Sequence, residues 1–260
     1  MRVVIRPIRY TSAIADTRAW AIALGMTPLV ETEDWQVLAA GAGRLALHRV
    51  PAGNPLDGVT TLAVETDDLD ALEHRWRGAG LRTRRTEEGG IPLVFASTPF
   101  DGEIAAGELS PGPVEPPREA ELVMMPMLTT PDVPAATDWF TAGGLPGLRR
   151  RISSERGGWT DLEMEGGGGL VAIHATGNLE ADPPATAPVD PRSGTREVAV
   201  WCSFEHPDVD ALLERVRAAG LDDARVHDEA YNRTLITVAP DGDQVWVNGE
   251  MADLYGYRRG

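Results

Sequence analysis

Residues 159–177 read WTDLEMEGGGGLVAIHATG, with four consecutive glycines, Gly166 to Gly169, ahead of a hydrophobic run. A phosphate loop needs its glycines to open a helix, so that backbone N–H groups converge on the anion, and a Walker-type loop also needs a lysine. The run that follows is LVAIHA, short and β-branched, and all 24 basic residues of the chain are arginine. The better reading lies upstream, in WQVLAAGAGRLALHRV at 35–50. Trp35 and Trp159 open the two segments, Gly41/Gly43 and Gly166 to Gly169 turn them, and LALH ends at His48 as VAIH ends at His174. A glycine turn between two alternating apolar runs is a hairpin signal, because glycine tolerates positive φ.

The repeat extends outward from this pair. DALEHRWRGAGL from Asp70 matches DALLERVRAAGL from Asp210, and VFASTPFDGE at 94–103 matches TLITVAPDGD at 234–243. A Pro-rich insertion at 177–196 lengthens the second copy where the first has only PAGNPLDGV. ELSPGPVEPPREAE at 108–121 reads as an extended linker. The organisation expected is a first domain at 1–110, a Pro-rich linker at 111–118 and a second domain at 119–260.

Each domain holds two strand–helix–strands units. TRAWAIALG, DLDALEHRWRGAG, PDVPAATDWFTAGG and PDVDALLERVRAAG supply the helices. Asp132 is placed to cap the third, with Ala135 and Trp139 one turn apart. Val209, Leu212, Leu213 and Val216 form one apolar face of the fourth, with Gly220 as its C-terminal cap. The Asp-Gly pairs at 101/102 and 241/242 sit where a final hairpin turns.

At 260 residues, a formal charge of −16 and pI near 4.7, the chain is expected to bind neither nucleic acid nor an anionic membrane. The absence of lysine excludes a lysine Schiff base or a lysine general base. A single cysteine, Cys202, permits no internal disulfide. No signal-peptide core and no membrane-length apolar run is seen, so a cytoplasmic location is expected.

Four βαβββ modules with these LxLH, DALxxRxRxAGL and Asp-Gly elements resemble the vicinal oxygen chelate superfamily, the glyoxalase, bleomycin-resistance and extradiol-dioxygenase group. The resemblance covers about 5–108 and 122–250. It implies an α+β fold in which pairs of modules curl their mixed sheets into cups, here two tandem glyoxalase-like domains. It also implies, for enzymes of the group, a divalent metal held by His, Glu or Gln from first and last strands. Those positions fall here near Ile5, Thr61, Met125 and Trp201, and near Ala106 and Trp246. None is a good ligand for a hard or borderline cation.

The expectation is therefore a metal-free, cofactor-free cup that binds a small organic molecule, as a monomer or homodimer. Trp35, His48, Trp159, His174, Trp201 and Trp246 are its candidate ligand-binding residues. The alternative is a lyase, isomerase or cyclase using His48 or His174 as general acid or base, or a metal-dependent lyase or dioxygenase. A third reading makes only the second copy functional. His74, His206 and His227 read as surface or capping residues, His227 in a polar loop. The runs RTRR at 82–85 and RRR at 149–151 read as solvated faces, one of which could meet an anionic substrate at a rim.

Overall fold

A computed structural model describes residues 1–88, 91–100, 102–111, 121–176, 199–228, 232–251, 254 and 256–260. The first module comprises β1 (Val3–Ile5), β2 (Ile8–Thr11), α1 (Ile14–Ala23), β3 (Thr27–Glu31), β4 (Trp35–Ala39) and β5 (Arg44–Arg49). The second comprises β6 (Thr60–Thr61), β7 (Ala63–Thr66), α2 (Leu69–Gly78), β8 (Thr83–Glu88), β9 (Ile91–Thr98) and β10 (Gly102–Glu108). In the third are β11 (Val123–Met124), β12 (Met127–Thr130), α3 (Val133–Trp139), β13 (Leu148–Ser154), β14 (Trp159–Met164) and β15 (Leu170–Ala175). The fourth adds β16 (Ala199–Trp201), β17 (Ser203–His206), α4 (Val209–Ala218), β18 (Arg225–Asp228), β19 (Arg233–Val238) and β20 (Gln244–Gly249), and β21 (Tyr257–Arg259) follows.

Every module begins with a strand broken in two, so that its halves serve different sheets. In the first and third modules the break contains Pro7 and Pro126, each unable to donate to a ladder. The two modules of one copy join through these strands: β1 pairs β7 and β2 pairs β6, while β11 pairs β17 and β12 pairs β16, all antiparallel. Each cup is thus built within one copy. The two copies meet edge to edge at Val200 opposite Thr60, giving an 11-stranded sheet flanked by two of five strands.

Burial separates the sheet faces. One apolar core joins α2 and α3 with the sheets of the second and third modules, and another joins α1 and α4 with those of the first and fourth. Two smaller clusters contain no helical residue, and they mark the inner faces of the cups. The helices therefore lie between the copies and the cups open away from them.

The glycine turns hold the copies together. Ile5 donates its N–H to Gly168 O at 2.8 Å, and Met124 donates to Ala42 O at 2.8 Å, a reciprocal exchange between equivalent turns. A Cβ on Gly169, whose φ is +97°, would lie 3.1 Å from Gly43 Cα. These glycines serve close backbone approach. Beside them Arg9, fully buried, donates to Asp241 at 2.9 Å and to Asp243 at 3.3 Å, tying β2 to the Asp241–Gly242 turn of the other copy.

Asp132 caps α3 as expected, accepting from Ala135 N, and Asp208 caps α4 in the same way, accepting from Ala211 N, each at 2.9 Å. On α3, however, Ala135 is exposed, and Val133, Ala136 and Thr137 form the buried face. His227 lies in β18 rather than in a loop, and His206 is buried, accepting the N–H of Asp208 at Nδ1. Ile5 and Ala106 belong to the helix-side core, so Arg6 and Ala105 are their neighbours on the cup side. Asp101, the insertion at 177–196 and all of the 111–118 linker except Pro111 lie outside the described residues. Among the described residues no helix is long and apolar enough to cross a membrane.

Candidate functional site

The second cup is lined by a row of side chains running across paired strands. Asp161 on β14 stands opposite Ala172 on β15, Ala172 beside Met127 on β12, and Met127 opposite Trp201 on β16. Alternate residues of a strand share a face. Trp159 and His174, one step along the same strands, therefore face the same way. Met125, Met127, Leu170, Ala172 and Trp201 form one buried cluster, with Trp159 and Trp246 packed against it. Ser203, beside Trp246, donates its hydroxyl to Met125 O across the floor.

Three charged groups sit in this apolar setting. Arg151 turns inward because the β13–β14 register shifts between Arg150 and Ile152, which leaves one extra residue at a bulge. Its guanidinium forms a two-pronged pair with Glu205 at 2.8 and 2.9 Å and lies 3.7 Å from Asp161 Oδ2. Asp161 is 4% exposed, and its Oδ1 has no hydrogen-bond partner among the described residues. Burial and the nearby Glu205 push its carboxyl up to about 7, against the opposing pull of Arg151. The Trp159 indole N–H opposes the rise as well, from outside hydrogen-bond alignment. Burial also raises Glu205, with Arg151 countering.

The indole N–H groups of Trp159 and Trp201 are buried and unpartnered among the described residues. Buried indoles ordinarily find an acceptor. These two donors and the free oxygen of Asp161 belong to one aromatic, thioether-rich cluster, whose composition suits a planar molecule with polar edge groups.

Both candidate histidines are on inner faces, in different company from that a catalytic dyad needs. His174 holds its proton on Nδ1, which donates to Ala175 O at 2.9 Å, and it meets Trp159 edge-on at 5.3 Å. Burial lowers its pKa, so the imidazole is neutral at neutral pH. His48, in the first cup, lies between the rings of Tyr10 at 5.3 Å and Trp35 at 5.7 Å. In that cup Glu65 receives Arg6 and Arg44, with Arg6 over Trp35.

Asp161 and Glu205 are not among the residues the sequence pattern singled out, and Arg151 entered only as the last residue of a run read as a solvated face. Their signal lay in the repeat: Trp35-Gln36-Val37 answers Trp159-Thr160-Asp161, a valine exchanged for a carboxylate at a cup-facing position. The arginine runs are solvated as expected at Arg85, Arg149 and Arg150, each paired with an exposed acid, while Arg84, paired with Glu103, stacks on Phe95 and Arg151 turns into the second cup.

At the positions where enzymes with this module plan hold a metal, Met125, Trp201 and Trp246 share one apolar cluster. Thioether and indole do not suit a hard cation. Among the described residues no group of three or more His, Cys, Asp or Glu is arranged to hold one. The two carboxylates of the cup share Arg151, whose charge opposes a cation. The residues present do not fit a resident metal.

Comparison with solved structures gives the fold. An extradiol ring-cleaving dioxygenase from B. fuscum superposes with a TM-score of 0.60 at 15% identity, over 96% of this chain and 72% of that one. Catechol 2,3-dioxygenase gives 0.57 at 14% identity, over 96% and 89%. Homoprotocatechuate 2,3-dioxygenase from Brevibacterium fuscum, in complex with 3,4-dihydroxyphenylacetate, gives 0.57 at 15%, over 96% and 81%. No protein-family profile matches the chain, and no curated protein matches it in sequence. The chain has the vicinal oxygen chelate fold, with mixed α+β modules and cupped sheets.

Proposed function

From the vicinal oxygen chelate fold that this chain shares with extradiol dioxygenases, we propose that its second cup is a metal-free binding pocket for a small planar organic molecule. One observation carries the reading: Met125, Trp201 and Trp246 fill the positions this fold can use for metal ligands, and they do so within one apolar cluster. Stacking on indole faces supplies affinity. The unpartnered N–H groups of Trp159 and Trp201 and the free oxygen of Asp161 supply orientation. With Glu205 paired to Arg151, the remaining charge is that of Asp161, which favours neutral or amine-bearing ligands over anions.

A second reading rests on Asp161 alone. A carboxyl poised near 7 in a dry cup can give or take a proton at neutral pH, as an isomerase or lyase requires. His174 is the weaker acid–base candidate because its orienting partner is a carbonyl rather than a carboxylate.

Two measurements on the full chain test the binding reading. Equilibrium dialysis against Fe(II), Mn(II) and Zn(II) is expected to leave metal at the level of a protein-free blank. Titration with 1-naphthylamine is expected to quench tryptophan emission saturably, with at least roughly tenfold weaker binding in Trp201→Ala. Stoichiometric metal uptake abolished by Asp161→Asn or Glu205→Gln would overturn it.

A further inference from the structure

The two cups are copies that have diverged in charge. Structural equivalence sets Pro7 on Pro126, since Ala46 N donates to Pro7 O and Ala172 N to Pro126 O, each at 3.0 Å. Arg6 of the first cup then stands where the second has Met125, and Arg44 where the second has Leu170. Glu65 and Glu205 are equivalent buried acids. In the first cup two arginines face that one glutamate, so one positive charge is in surplus.

The surplus is concentrated on Arg6. Its side chain is 3% exposed, and Glu65 Oε1 lies 3.0 Å from Nε but off the N–H axis. Glu65 is already occupied, taking Arg44 Nη1 at 2.6 Å and the N–H of Ser110 at 3.2 Å. Gly107 leaves room for the guanidinium: a Cβ there would come within 3.2 Å of Arg6 Nη2. The Arg6 plane sits 5.1 Å over the Trp35 ring, and Nη1 is buried with no partner among the described residues. A buried guanidinium with a free N–H is an anion receptor lacking its anion. Above it Tyr10, Trp35, His48 and Phe95 are each partly exposed and form an aromatic rim.

We propose that the first cup is a separate binding site for a small aromatic monocarboxylate, whose anion accepts from Arg6 Nη1 and whose ring lies among Tyr10, Trp35, His48 and Phe95. A single negative charge balances the single positive surplus, whereas a dianion would leave net charge buried. The aromatic rim selects a planar ring over an inorganic ion. The ligand differs in class from that of the second cup, so one chain carries two sites of opposite charge preference.

Calorimetric titration of the full chain with benzoate and with benzamide, its neutral isostere, tests this. Benzoate is expected to saturate at one per chain and benzamide to bind at least about tenfold more weakly. Arg6→Met is expected to weaken benzoate about tenfold or more, with Trp201→Phe leaving it within about twofold. Equal binding of the two probes, no saturable benzoate binding at millimolar concentration, or a loss in Trp201→Phe instead of Arg6→Met overturns the proposal. Should Arg6→Met fail to fold, Trp35→Phe decides: the benzoate-induced change in tryptophan emission must vanish in that variant, and its persistence is equally fatal.

Discussion

Asp161→Asn should abolish the pH dependence of stability that Asp161 imposes on the chain. The native carboxyl titrates at about 7, against 3.8 for an ordinary aspartate, so between those values the folded chain keeps a proton that the unfolded chain has released. Stability then falls as pH rises through this window and levels off above about 7. With roughly 1.4 kcal/mol per pH unit, the full rise corresponds to about 4 kcal/mol. Most of it, roughly 3 kcal/mol, falls between pH 5 and pH 8, by the same linkage relation. Asparagine keeps the shape and carries no charge at any of these pH values, so this component disappears. Glu205 remains in both proteins, and its contribution largely cancels in the comparison. Urea unfolding at pH 5, 6, 7 and 8 reads the difference directly. The variant is expected to gain on the wild type steadily as pH rises, with the gap closing again toward pH 5. Parallel curves for the two proteins would show that Asp161 ionises like a solvated carboxylate, and the account of the cup's electrostatics would be wrong.

Three further outcomes follow from the packing. Gly169→Ala combines a φ of +97° with a 3.1 Å approach to Gly43 backbone and should cost about 3 kcal/mol in thermal unfolding, whereas Gly53→Ala, with φ +79° and open space, should cost about 1 kcal/mol. Equal losses would remove close approach as the reason for the glycine turn. Arg9→Met strands Asp241 and Asp243 without their cation and should cost about 3–5 kcal/mol at pH 7, less at pH 5, where protonation of Asp243, already raised by burial, relieves part of the buried charge. A cost that does not vary with pH would mean the residue acts by packing alone. Cys202 is buried and its thiol is pushed up to about 12, mainly by burial, so it should resist a thiol reagent until denaturant unfolds the chain. Rapid labelling under native conditions would contradict its placement.

The module plan was legible because its signals are local: glycine turns, alternating runs and capped amphipathic helices recur in both copies at matching intervals. The cups were legible only to within a residue, and a strand has period two. Setting Ile5 on Met125 puts an isoleucine among the cup residues, while the structure sets Pro7 on Pro126 and brings Arg6 there instead. A slip of one residue exchanges the two faces of a sheet. Trp201 and Trp246 escaped that error because their pairings, with Met127 and Ser203, keep the expected register. Arg151 was illegible for a different reason. Its inward turn depends on a bulge, and a bulge is decided by the partner strand rather than by the run RRR itself. Module pairing, likewise, is a property of which broken strands meet, and no composition or periodicity encodes it.

The divergence of the cups explains why the backbone tolerates buried charge on both sides. Each copy retains a glutamate at the same buried position, Glu65 and Glu205, and each supplies arginine to it from a different place: Arg6 from the break after β1 and Arg44 from β5, Arg151 from the bulge in β13. A buried carboxylate without a cation is costly, so a duplicated glutamate obliges each copy to find its own partner. The partners were found in non-equivalent places. In the first cup the solution overshoots by one arginine, and in the second, where Asp161 stands at the position of Val37, one acid is in excess of the single arginine. The shared acid is thus the constraint, and the unequal answers to it are what give two cups of the same fold opposite charge.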